Sequence, residues 1–315
     1  MAIDSLKLIR HIERFTEQTP ITADVFLTNF CNNKCPYCTY HRWSLDPGAR
    51  YMAYEDFVKY STRLFELGVK GIILTGGGEP TINPDFDQIT KWLESNGIRY
   101  GINTNFNVFK DFSPTYLKVS LDGYDEQSYK LKRGVHTYSR VIENIKKYRE
   151  NGKHKDTSFG VQIVVNDLSE IERFYEGVKG LDVDYIVYRP IESTYRCAYT
   201  DNDVQTTIPV LTKHIQSIAR LDKRVVMNSK WTQLDVFPKQ CSANWAQIAL
   251  DEKGNVIYCC HKPYEIVGHI MDADILEKKR QFKTDMSKCD VPCRLTASNL
   301  IQEYLAKPMK DDCFV

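Results

Sequence analysis

Residues 28–43 read TNFCNNKCPYCTYHRW, a stretch with three cysteines in the spacing C-x3-C-x2-C. It begins at the end of ITADVFLTNF (21–30), whose β-branched and aromatic residues predict a strand. Three thiolates on a short loop can hold three irons of a cubane iron–sulfur cluster. Zinc is the alternative, with His41 as a fourth ligand. The spacing therefore predicts a metal centre on this loop, formed by Cys31, Cys35 and Cys38.

A glycine triplet follows the second predicted strand, VKGIILTGG (69–77), in the sequence ILTGGGEPTINP (73–84). Glycines at the end of a strand let the backbone approach a ligand closely. They also suit an ordinary turn between a strand and a helix, so this motif gains its meaning beside the cysteine loop.

The segment from about residue 20 to residue 215 alternates short apolar runs with helical patterns. The further predicted strands are IRYGINTNF (98–106), YLKVSLDG (116–123), FGVQIVVN (159–166) and VDYIVYRP (183–190). The predicted helices between strands are residues 54–68, 85–97 and 138–152. Such alternation predicts a parallel sheet with right-handed crossovers, and six strands predict an open or partial barrel. In such folds the active site lies at the C-terminal ends of the strands.

The two motifs together resemble those of the radical SAM superfamily. Its signature is C-x3-C-x-aromatic-C after the first strand, with Tyr37 here as the aromatic residue, and a GGE(P) motif after the second, here residues 77–80. GINTNF (101–106) and YLKVSLDGYDEQSYKLKRG (116–134) are similar to the ends of its third and fourth strands. The resemblance covers roughly residues 20–195 and implies an α/β fold with a partial (β/α)6 barrel.

The resemblance also implies the chemistry. The three cysteines would ligate a 4Fe–4S cluster whose fourth iron chelates S-adenosylmethionine. One electron from the cluster would cleave the cofactor to a 5′-deoxyadenosyl radical, which abstracts a hydrogen atom from the substrate. The cofactors supply the difficult step, while the protein positions and shields the reactants. The implied partners are a small-molecule substrate and a flavodoxin- or ferredoxin-type reductant.

Further residues are assigned to the cofactor by the same resemblance, each with an ordinary structural role as its alternative. Tyr37 would lie near the adenine, and Arg133 could hold the methionine carboxylate because a guanidinium suits that geometry. The methionyl amino group would be approached, largely through backbone atoms, by Gly77, Gly78 and Glu79. The ribose hydroxyls would bond to Ser120 and Asp122, and weaker candidates at the ends of the third and fifth strands are Asn105 and Asn166.

A second cysteine set lies near the C-terminus. Residues 245–260 read WAQIALDEKGNVIYCC, which predicts a hairpin turning at Lys253 and Gly254. The hairpin would bring Cys259 beside Cys241, and the set continues with Cys289 and Cys293. This arrangement resembles the shorter, twitch form of the SPASM module, which holds one auxiliary 4Fe–4S cluster. Structural zinc is the alternative for the whole set.

Three other cysteines have less defined roles. On a strand, Cys260 would face the opposite side from Cys259, and Cys313 could replace Cys289 as a ligand. In radical SAM epimerases a free cysteine donates a hydrogen atom to the substrate radical, and the candidates for that role are Cys197, Cys260 and Cys313. Arg189, at the end of the sixth predicted strand, is a candidate substrate contact.

The chain is thus expected to comprise an N-terminal helix (1–20), a radical SAM partial barrel (21–215) and a small α+β auxiliary-cluster domain (216–315). Its 315 residues carry a net charge of +1, which weighs against a polyanion-coating protein, so no nucleic-acid partner is expected. No run approaches the roughly 18 apolar residues that span a bilayer, and residues 1–15 do not form a secretory signal. We therefore expect a cytoplasmic protein without disulfides.

The sequence supports several functions. The first is oxidation of a small polar substrate of the sugar, aminocyclitol, nucleoside or amino-acid type, with the auxiliary cluster accepting the electron. The second is a redox-neutral epimerase or isomerase reaction with a cysteine hydrogen donor. The third is peptide modification, as in the SPASM maturases, and the fourth is a non-enzymatic metal-binding module, against which the GGGEP motif and the barrel pattern weigh.

Overall fold

The computed structural model describes residues 5–38, 40, 48–165, 167–190, 208–227, 240–289, 293 and 295–306. Strands from the whole of this part join in one sheet. They are β1 (Thr22–Phe26), β2 (Gly71–Thr75), β3 (Tyr100–Thr104), β4 (Tyr116–Ser120), β5 (Ser158–Val165), β6 (Tyr185–Pro190), β7 (Val225–Met227), β8 (Gln247–Leu250), β9 (Asn255–Cys259) and β10 (Lys262–His269).

The strand order is β10-β9-β8-β1-β2-β3-β4-β5-β6-β7. Strands β1 to β7 follow one another in parallel, and β8 pairs in parallel with the other side of β1. Strands β9 and β10 continue the sheet in antiparallel pairing. The six strands predicted from the sequence are therefore confirmed, and β7 adds a short parallel strand that the sequence analysis did not anticipate.

The helices between the strands also follow the sequence pattern. They are α1 (Tyr54–Glu66), α2 (Phe86–Ser95), α3 (Glu126–Arg133), α4 (Tyr138–Arg149), α5 (Leu168–Val178), α6 (Ile208–Leu221), α7 (Ile275–Gln281) and α8 (Thr296–Ala306). The three helices predicted over residues 54–68, 85–97 and 138–152 are confirmed within a few residues. Among the described helices, none is both long enough and apolar enough to cross a membrane.

The N-terminal helix differs from its prediction. Residues Ser5–Arg14 form a 3-10 helix that is kinked at His11, where the backbone is not helical. Its C-terminal end is fixed by the guanidinium of Arg14, which donates to the carbonyls of Pro20 at 3.1 Å and Gly68 at 2.7 Å. These tertiary bonds hold the end of the segment against the turn after α1.

The two faces of the sheet have different characters. Alternate strand residues on one face, such as Val25 and Leu74, are buried in a single hydrophobic cluster with helix residues such as Phe57. The residues between them on the opposite face include polar and charged side chains: Asp24, Thr75, Asn103, Lys118, Gln162 and Arg189. This second face, which we call the inner face, is therefore chemically suited to binding a polar ligand.

The C-terminal part of the chain shares this sheet. Strand β7 pairs with β6 and strand β8 with β1, and both lie within the predicted auxiliary domain (216–315). The predicted boundary at residue 215 falls inside α6. The division into domains stays a prediction, and the structure adds that the proposed second domain is continuous with the first at the level of the sheet.

Candidate active site and auxiliary cysteine cavity

The first three cysteines lie on the loop after β1, as predicted. Cys35 is buried, and Cys31 and Cys38 are half-buried. Within the loop the amide of Cys38 donates to the carbonyl of Cys35 at 3.2 Å, and the amide of Asn33 donates to the Sγ of Cys31 at 3.4 Å. The loop is tied to the end of α3, because the amide of Lys34 donates to the carbonyl of Arg133 at 2.9 Å.

Two buried asparagines after β3 donate hydrogen bonds to this loop. The Nδ2 of Asn105 donates to the Oδ1 of Asn32 at 2.6 Å and lies 3.8 Å from the Sγ of Cys31. The Nδ2 of Asn107 donates to the Oδ1 of Asn33 at 2.5 Å. The segment after β3 therefore orients the cysteine loop. Asn107 was missed by the sequence analysis, although the N-x-N pattern of residues 105–107 was visible in it.

The glycine loop after β2 packs directly on the cysteine loop. The amide of Glu79 donates to the carbonyl of Phe30 at 2.9 Å. A Cβ added to Gly78 would lie 1.8 Å from that same carbonyl oxygen, so only glycine fits there without a backbone shift. The motif thus sets the distance between the two loops that the resemblance assigns to cluster and cofactor.

The side chain of Glu79 has a structural role. It is 3% exposed, and its Oε1 accepts hydrogen bonds from the amide of Thr81 at 3.1 Å and from the hydroxyls of Thr81 and Thr104 at 2.7 and 2.5 Å. Its Oε2 accepts from the amide of Asn105 at 2.7 Å. Burial raises the pKa of the Glu79 carboxyl, and these donated bonds oppose the rise. The carboxylate therefore joins the ends of β2 and β3, and backbone atoms of the motif are left for the predicted contact with the cofactor.

Arg133 and Asp122 form a buried ion pair next to the cysteine loop. The guanidinium of Arg133 also donates to the carbonyl of Ser120 at 2.8 Å and contacts the Sγ of Cys35 at 3.3 Å. Burial alone would lower the pKa of Arg133, but the Asp122 carboxylate, together with Tyr37, Cys35 and Tyr129, outweighs it and raises that pKa above its ordinary value. The cation is thus fixed beside the cysteine loop.

Both oxygens of Asp122 are engaged within the protein. One accepts from the hydroxyl of Tyr37 at 2.7 Å, the other from the amide of Val164 at 2.7 Å, and the side chain is 1% exposed. This geometry favours a positioning role for Asp122, in place of the ribose contact that the resemblance implied. Burial, followed by the Asp122 charge, raises the pKa of Tyr37 well above its ordinary value.

The other predicted residues fall into two groups. Ser120 is half-buried at the C-terminal end of β4, which is compatible with the predicted ribose contact, and Arg189 is half-buried on the inner face at the end of β6. The predicted residues that lie outside the described part of the chain are Asn166, Cys197 and Cys313, together with His41, the fourth ligand of the zinc alternative.

The second cysteine set converges as predicted. One cavity is lined by all four members, Cys241, Cys259, Cys289 and Cys293, together with residues that include Tyr258, Lys262, Met286 and Leu295. The segment before β8, the end of β9 and the segment between α7 and α8 supply the four cysteines. Cys260 does not line this cavity but lines a neighbouring one together with Cys259 and Leu295. It also packs against the cluster of Phe26, Ala249 and Ile257, and the hydroxyl of Tyr40 donates to its carbonyl.

The thiolate donors fit iron–sulfur clusters, with zinc as the alternative at both cysteine sets. Among the described residues, no three Cys, His, Asp or Glu side chains come close enough together to hold one metal ion. A cubane is larger than an ion and carries one thiolate at each corner, so its ligands stand farther apart around a cavity. Burial, with smaller contributions from Cys259 and Cys289, raises the pKa of the Cys241 thiol to about 11. Cluster ligation would supply the positive charge that favours the thiolate.

Two buried lysines adjoin the auxiliary cavity, and the sequence analysis missed both. Lys262 donates to the hydroxyl of Thr284 and the carbonyl of Asp285, each at 2.6 Å, and lies 3.6 Å from a carboxylate oxygen of Glu265. Lys279 donates to both oxygens of Asn244, at 2.8 Å to the carbonyl. Burial lowers the pKa of Lys279 to about 8, and the Cys241 and Cys259 thiols act against that change.

A cavity of about 260 Å³ separates the cysteine loop from the β8–β9 hairpin. Its walls include Tyr40, Gly77 and Ile257, together with the charged residues Arg50, Asp251, Glu252 and Lys253. The Nε of Arg50 bonds to Glu252 at 2.9 Å and so links the two walls. Because β8 runs parallel to β1, the hairpin turn lies at the same edge of the sheet as the cysteine loop.

Comparisons with known proteins agree with this geometry. Residues 25–176 match the family profile described as Radical SAM superfamily. A probable GTP 3′,8-cyclase of Pyrococcus horikoshii is 33% identical over 144 residues, which make up 43% of this chain and 45% of that protein. The chain thus spans about half the length of the curated relatives it matches.

Solved structures extend the likeness into the C-terminal region. SuiB of Streptococcus suis, bound to precursor peptide SuiA, superposes with a TM-score of 0.67 at 14% identity, covering 89% of this chain and 72% of SuiB. The structure of anSMEcpe with bound AdoMet has a TM-score of 0.64 at 17% identity, covering 85% of this chain and 83% of that one. At these identities the likeness concerns the fold alone.

Proposed function

Since this chain carries a radical SAM domain and is an enzyme of that kind, we propose that it oxidises a small polar substrate by hydrogen-atom abstraction and passes an electron to an auxiliary 4Fe–4S cluster. The substrate class is that of sugars, aminocyclitols, nucleosides or amino acids. One observation carries the proposal: four cysteines from separate C-terminal segments line one cavity. One of them, Cys259, ends the β8–β9 hairpin, which is joined through β8 to β1.

The protein's own residues would prepare the site. When bound, the 4Fe–4S cluster and S-adenosylmethionine supply the 5′-deoxyadenosyl radical. Cys31, Cys35 and Cys38 would hold the cluster, while Asn105 and Arg133 keep their loop in place through the contacts described above. The backbone of the glycine loop would bind the methionyl part, and Ser120 the ribose. Phe26 and Tyr40, which pack edge to face, would exclude water from the reacting atoms.

The cavity of about 260 Å³ beside Gly77 supports a small polar substrate. It adjoins the cysteine loop on one side and the hairpin that leads to Cys259 on the other. Its charged walls suit hydroxyl, amino or carboxylate groups, which need fixed hydrogen-bonding partners when they leave water. The name GTP 3′,8-cyclase describes a relative of which this chain spans only 45%, so the substrate proposed here does not follow from that name.

Iron content and cofactor cleavage test the proposal. The anaerobically reconstituted protein should bind about eight irons per chain, and a Cys31→Ala, Cys35→Ala, Cys38→Ala variant about four. The wild type should release 5′-deoxyadenosine under a strong reductant, and this variant should not. Zinc in place of iron at the C-terminal cysteines, or undiminished cleavage by the triple variant, would contradict the proposal.

A redox-neutral reaction is the second candidate, and the position of Cys260 favours it. Its side chain packs against the cluster that contains Phe26, and its carbonyl accepts from the hydroxyl of Tyr40, two residues after Cys38. A thiol there would suit hydrogen donation to a substrate radical. In deuterated buffer this reaction would place solvent deuterium in the product without net oxidation, and Cys260→Ala would abolish the incorporation. Product oxidation without deuterium would instead support the first candidate.

The partners and the location follow from the proposed chemistry. An electron donor of the flavodoxin or ferredoxin type would reduce the first cluster, and a cytoplasmic setting would protect both clusters from oxygen. A peptide substrate is a weaker candidate, because the likeness to SuiB is one of fold.

A further inference from the structure

Lys279 is a buried cation that lacks a carboxylate partner. Its side chain is 5% exposed on α7, and no carboxylate of the described residues lies within 4.0 Å of its Nζ. Its hydrogen bonds go to the carbonyl and the side-chain oxygen of Asn244, which are neutral acceptors. Burying an ammonium group costs several kcal/mol unless a negative charge compensates it. A negative charge near Lys279 would therefore stabilise its protonated form.

The charged groups that act on Lys279 are the thiols of the auxiliary cavity. Cys241 and Cys259 are the groups that favour its protonated form. Asn244, three residues after Cys241, accepts from Lys279 and donates through its Nδ2 to the carbonyl of Tyr258 at 2.9 Å. The Nζ of Lys279 lies 5.4 Å from the centre of the Tyr258 ring, which lines the cavity. The ammonium is thus fixed behind the wall that carries two of the four cysteines.

Lys262 is a second buried lysine at this site, at 3% exposure, and it lines the four-cysteine cavity. Burial lowers its pKa, but the Cys289 thiol, followed by Glu265 at 3.6 Å from its Nζ, raises that pKa above the ordinary value. Both lysines would therefore act on a cluster held there. Lys279 differs in that no carboxylate of the described residues lies within 4.0 Å of it.

We propose that Lys279 is a charge-compensating residue of the auxiliary site and raises the reduction potential of the 4Fe–4S cluster held there. The inference rests on the proposed function, which places a cluster at the four cysteines. Reduction adds one negative charge to a centre that already carries four thiolates, and a fixed cation stabilises the reduced form more than the oxidised one. A raised potential increases the driving force for transfer of an electron from a substrate radical to the cluster.

The test measures the potential of the auxiliary cluster alone. In the full chain carrying Cys31→Ala, Cys35→Ala and Cys38→Ala, only the auxiliary cluster remains, and its potential is followed by EPR in a redox titration. Lys279→Met removes the charge, Lys279→Arg keeps it, and Lys278→Met is the matched control. Lys278 is the preceding residue on the same helix, is exposed, and pairs with Asp272 and Asp274.

Lys279→Met should lower the potential by an amount equal to at least a tenfold change in the redox equilibrium, which is about 59 mV for one electron. Lys279→Arg and Lys278→Met should leave the potential close to that of the parent. A purely structural role would instead change stability or iron content without moving the potential. An unchanged potential in a Lys279→Met protein with full iron content would overturn the inference and leave the proposed function intact.

Two further results keep the test decisive. If Lys279→Met does not fold, Lys279→Gln retains a hydrogen bond to Asn244 and should show the same shift. If the triple-cysteine parent binds no iron–sulfur cluster at all, the auxiliary part of the proposed function fails, and the inference fails with it. These outcomes distinguish an error about Lys279 from an error about the cluster.

Discussion

Asp122 and Arg133 illustrate what a single charge does in this site. Their side chains are 1% and 11% exposed, and Asp122 also receives the Tyr37 hydroxyl and the Val164 amide. Removing one partner of such a pair leaves the other charge buried without compensation, which is strongly destabilising. The pair therefore stabilises the cysteine loop through Arg133.

We expect Asp122→Asn to lower the free energy of unfolding of the metal-free protein by about 3–5 kcal/mol, measured by denaturant titration. Asn tolerates the positive φ of 42° at this position, so the variant changes charge with little change in backbone preference. The control is Asp87→Asn, which breaks the exposed pair with Lys110 and should cost about 1 kcal/mol or less. Equal costs for the two variants would show that Arg133 does not depend on Asp122.

Candidate site residues could be identified from the sequence where they belong to a motif with a fixed spacing. They were missed where only the packing of distant elements gives a residue its environment. The seven cysteines on the loop and around the cavity were singled out by their spacing in the sequence, and their role as cluster ligands stays a prediction. Lys279 stands in the sequence EKKRQ, which has the pattern of a solvated helix face, and its burial arises only when α7 packs against Asn244. The pairing of Asp122 with Arg133 likewise depends on the turn after β4.

At the scale of elements, the proposed cofactor cleavage depends on the close approach of the glycine loop and the cysteine loop. The glycine loop after β2 contacts the cysteine loop at Phe30, where a Cβ on Gly78 would lie 1.8 Å from a carbonyl oxygen. Gly78→Ala should therefore separate the loops and reduce the rate of S-adenosylmethionine cleavage by about 10²-fold, measured as 5′-deoxyadenosine released. Gly180→Ala is the control, because nothing lies within 4 Å of its added Cβ and cleavage should be unchanged. Equal rates in Gly78→Ala and the wild type would contradict this role.

Strand β7 gives a prediction about pH. Asp222, just before it, accepts from the guanidinium of Arg224 at 2.7 Å and from the hydroxyl of Tyr175 on α5 at 3.1 Å. The hydrogen bond from Arg224 lowers the pKa of Asp222 from 3.8 to about 2. A carboxyl whose pKa is lower in the folded state than in the unfolded state stabilises the protein when the pH is above its unfolded-state pKa. That contribution disappears as the pH falls through its folded-state pKa.

The stability difference between the wild type and Asp222→Asn should therefore shrink as the pH falls from about 4 to 2. Urea titrations of the metal-free proteins across that range would measure it. A difference that stays constant with pH would mean that the Asp222 carboxylate gains nothing from Arg224 in the folded state.

Elements of the fold were predictable in proportion to their length and regularity. The strands of the alternating region and the hairpin around Gly254 were readable from apolar runs and turn residues, and the radical SAM fold is confirmed. Strand β7 has three residues, too few for a periodic signal. The parallel pairing of β8 with β1 joins residues more than two hundred positions apart, and no local pattern encodes such a contact.

That pairing matters most at the scale of the whole molecule. Strand β8 covers the edge of β1, and the C-terminal residues Ile248, Leu250, Val256 and Ile275 belong to the same hydrophobic cluster as Val25 on β1. The cavity between the cysteine loop and the β8–β9 hairpin is further spanned by the bond from Arg50 to Glu252. The C-terminal segment therefore contributes to the core of the barrel as well as to the auxiliary site.

Two variants separate these contributions. A chain that stops at residue 227 loses β8 to β10, exposes the edge of β1 and the apolar residues that faced Ile248 and Leu250, and should aggregate or lose its cooperative unfolding transition. The double variant Cys241→Ser, Cys259→Ser removes two ligands yet keeps the sheet, so it should stay monodisperse on size-exclusion chromatography, unfold in one transition and retain about four irons. If the shortened chain folded as cooperatively as the double variant, the β1–β8 pairing would contribute little to the core, and the two halves would be independent units that meet only at the active site.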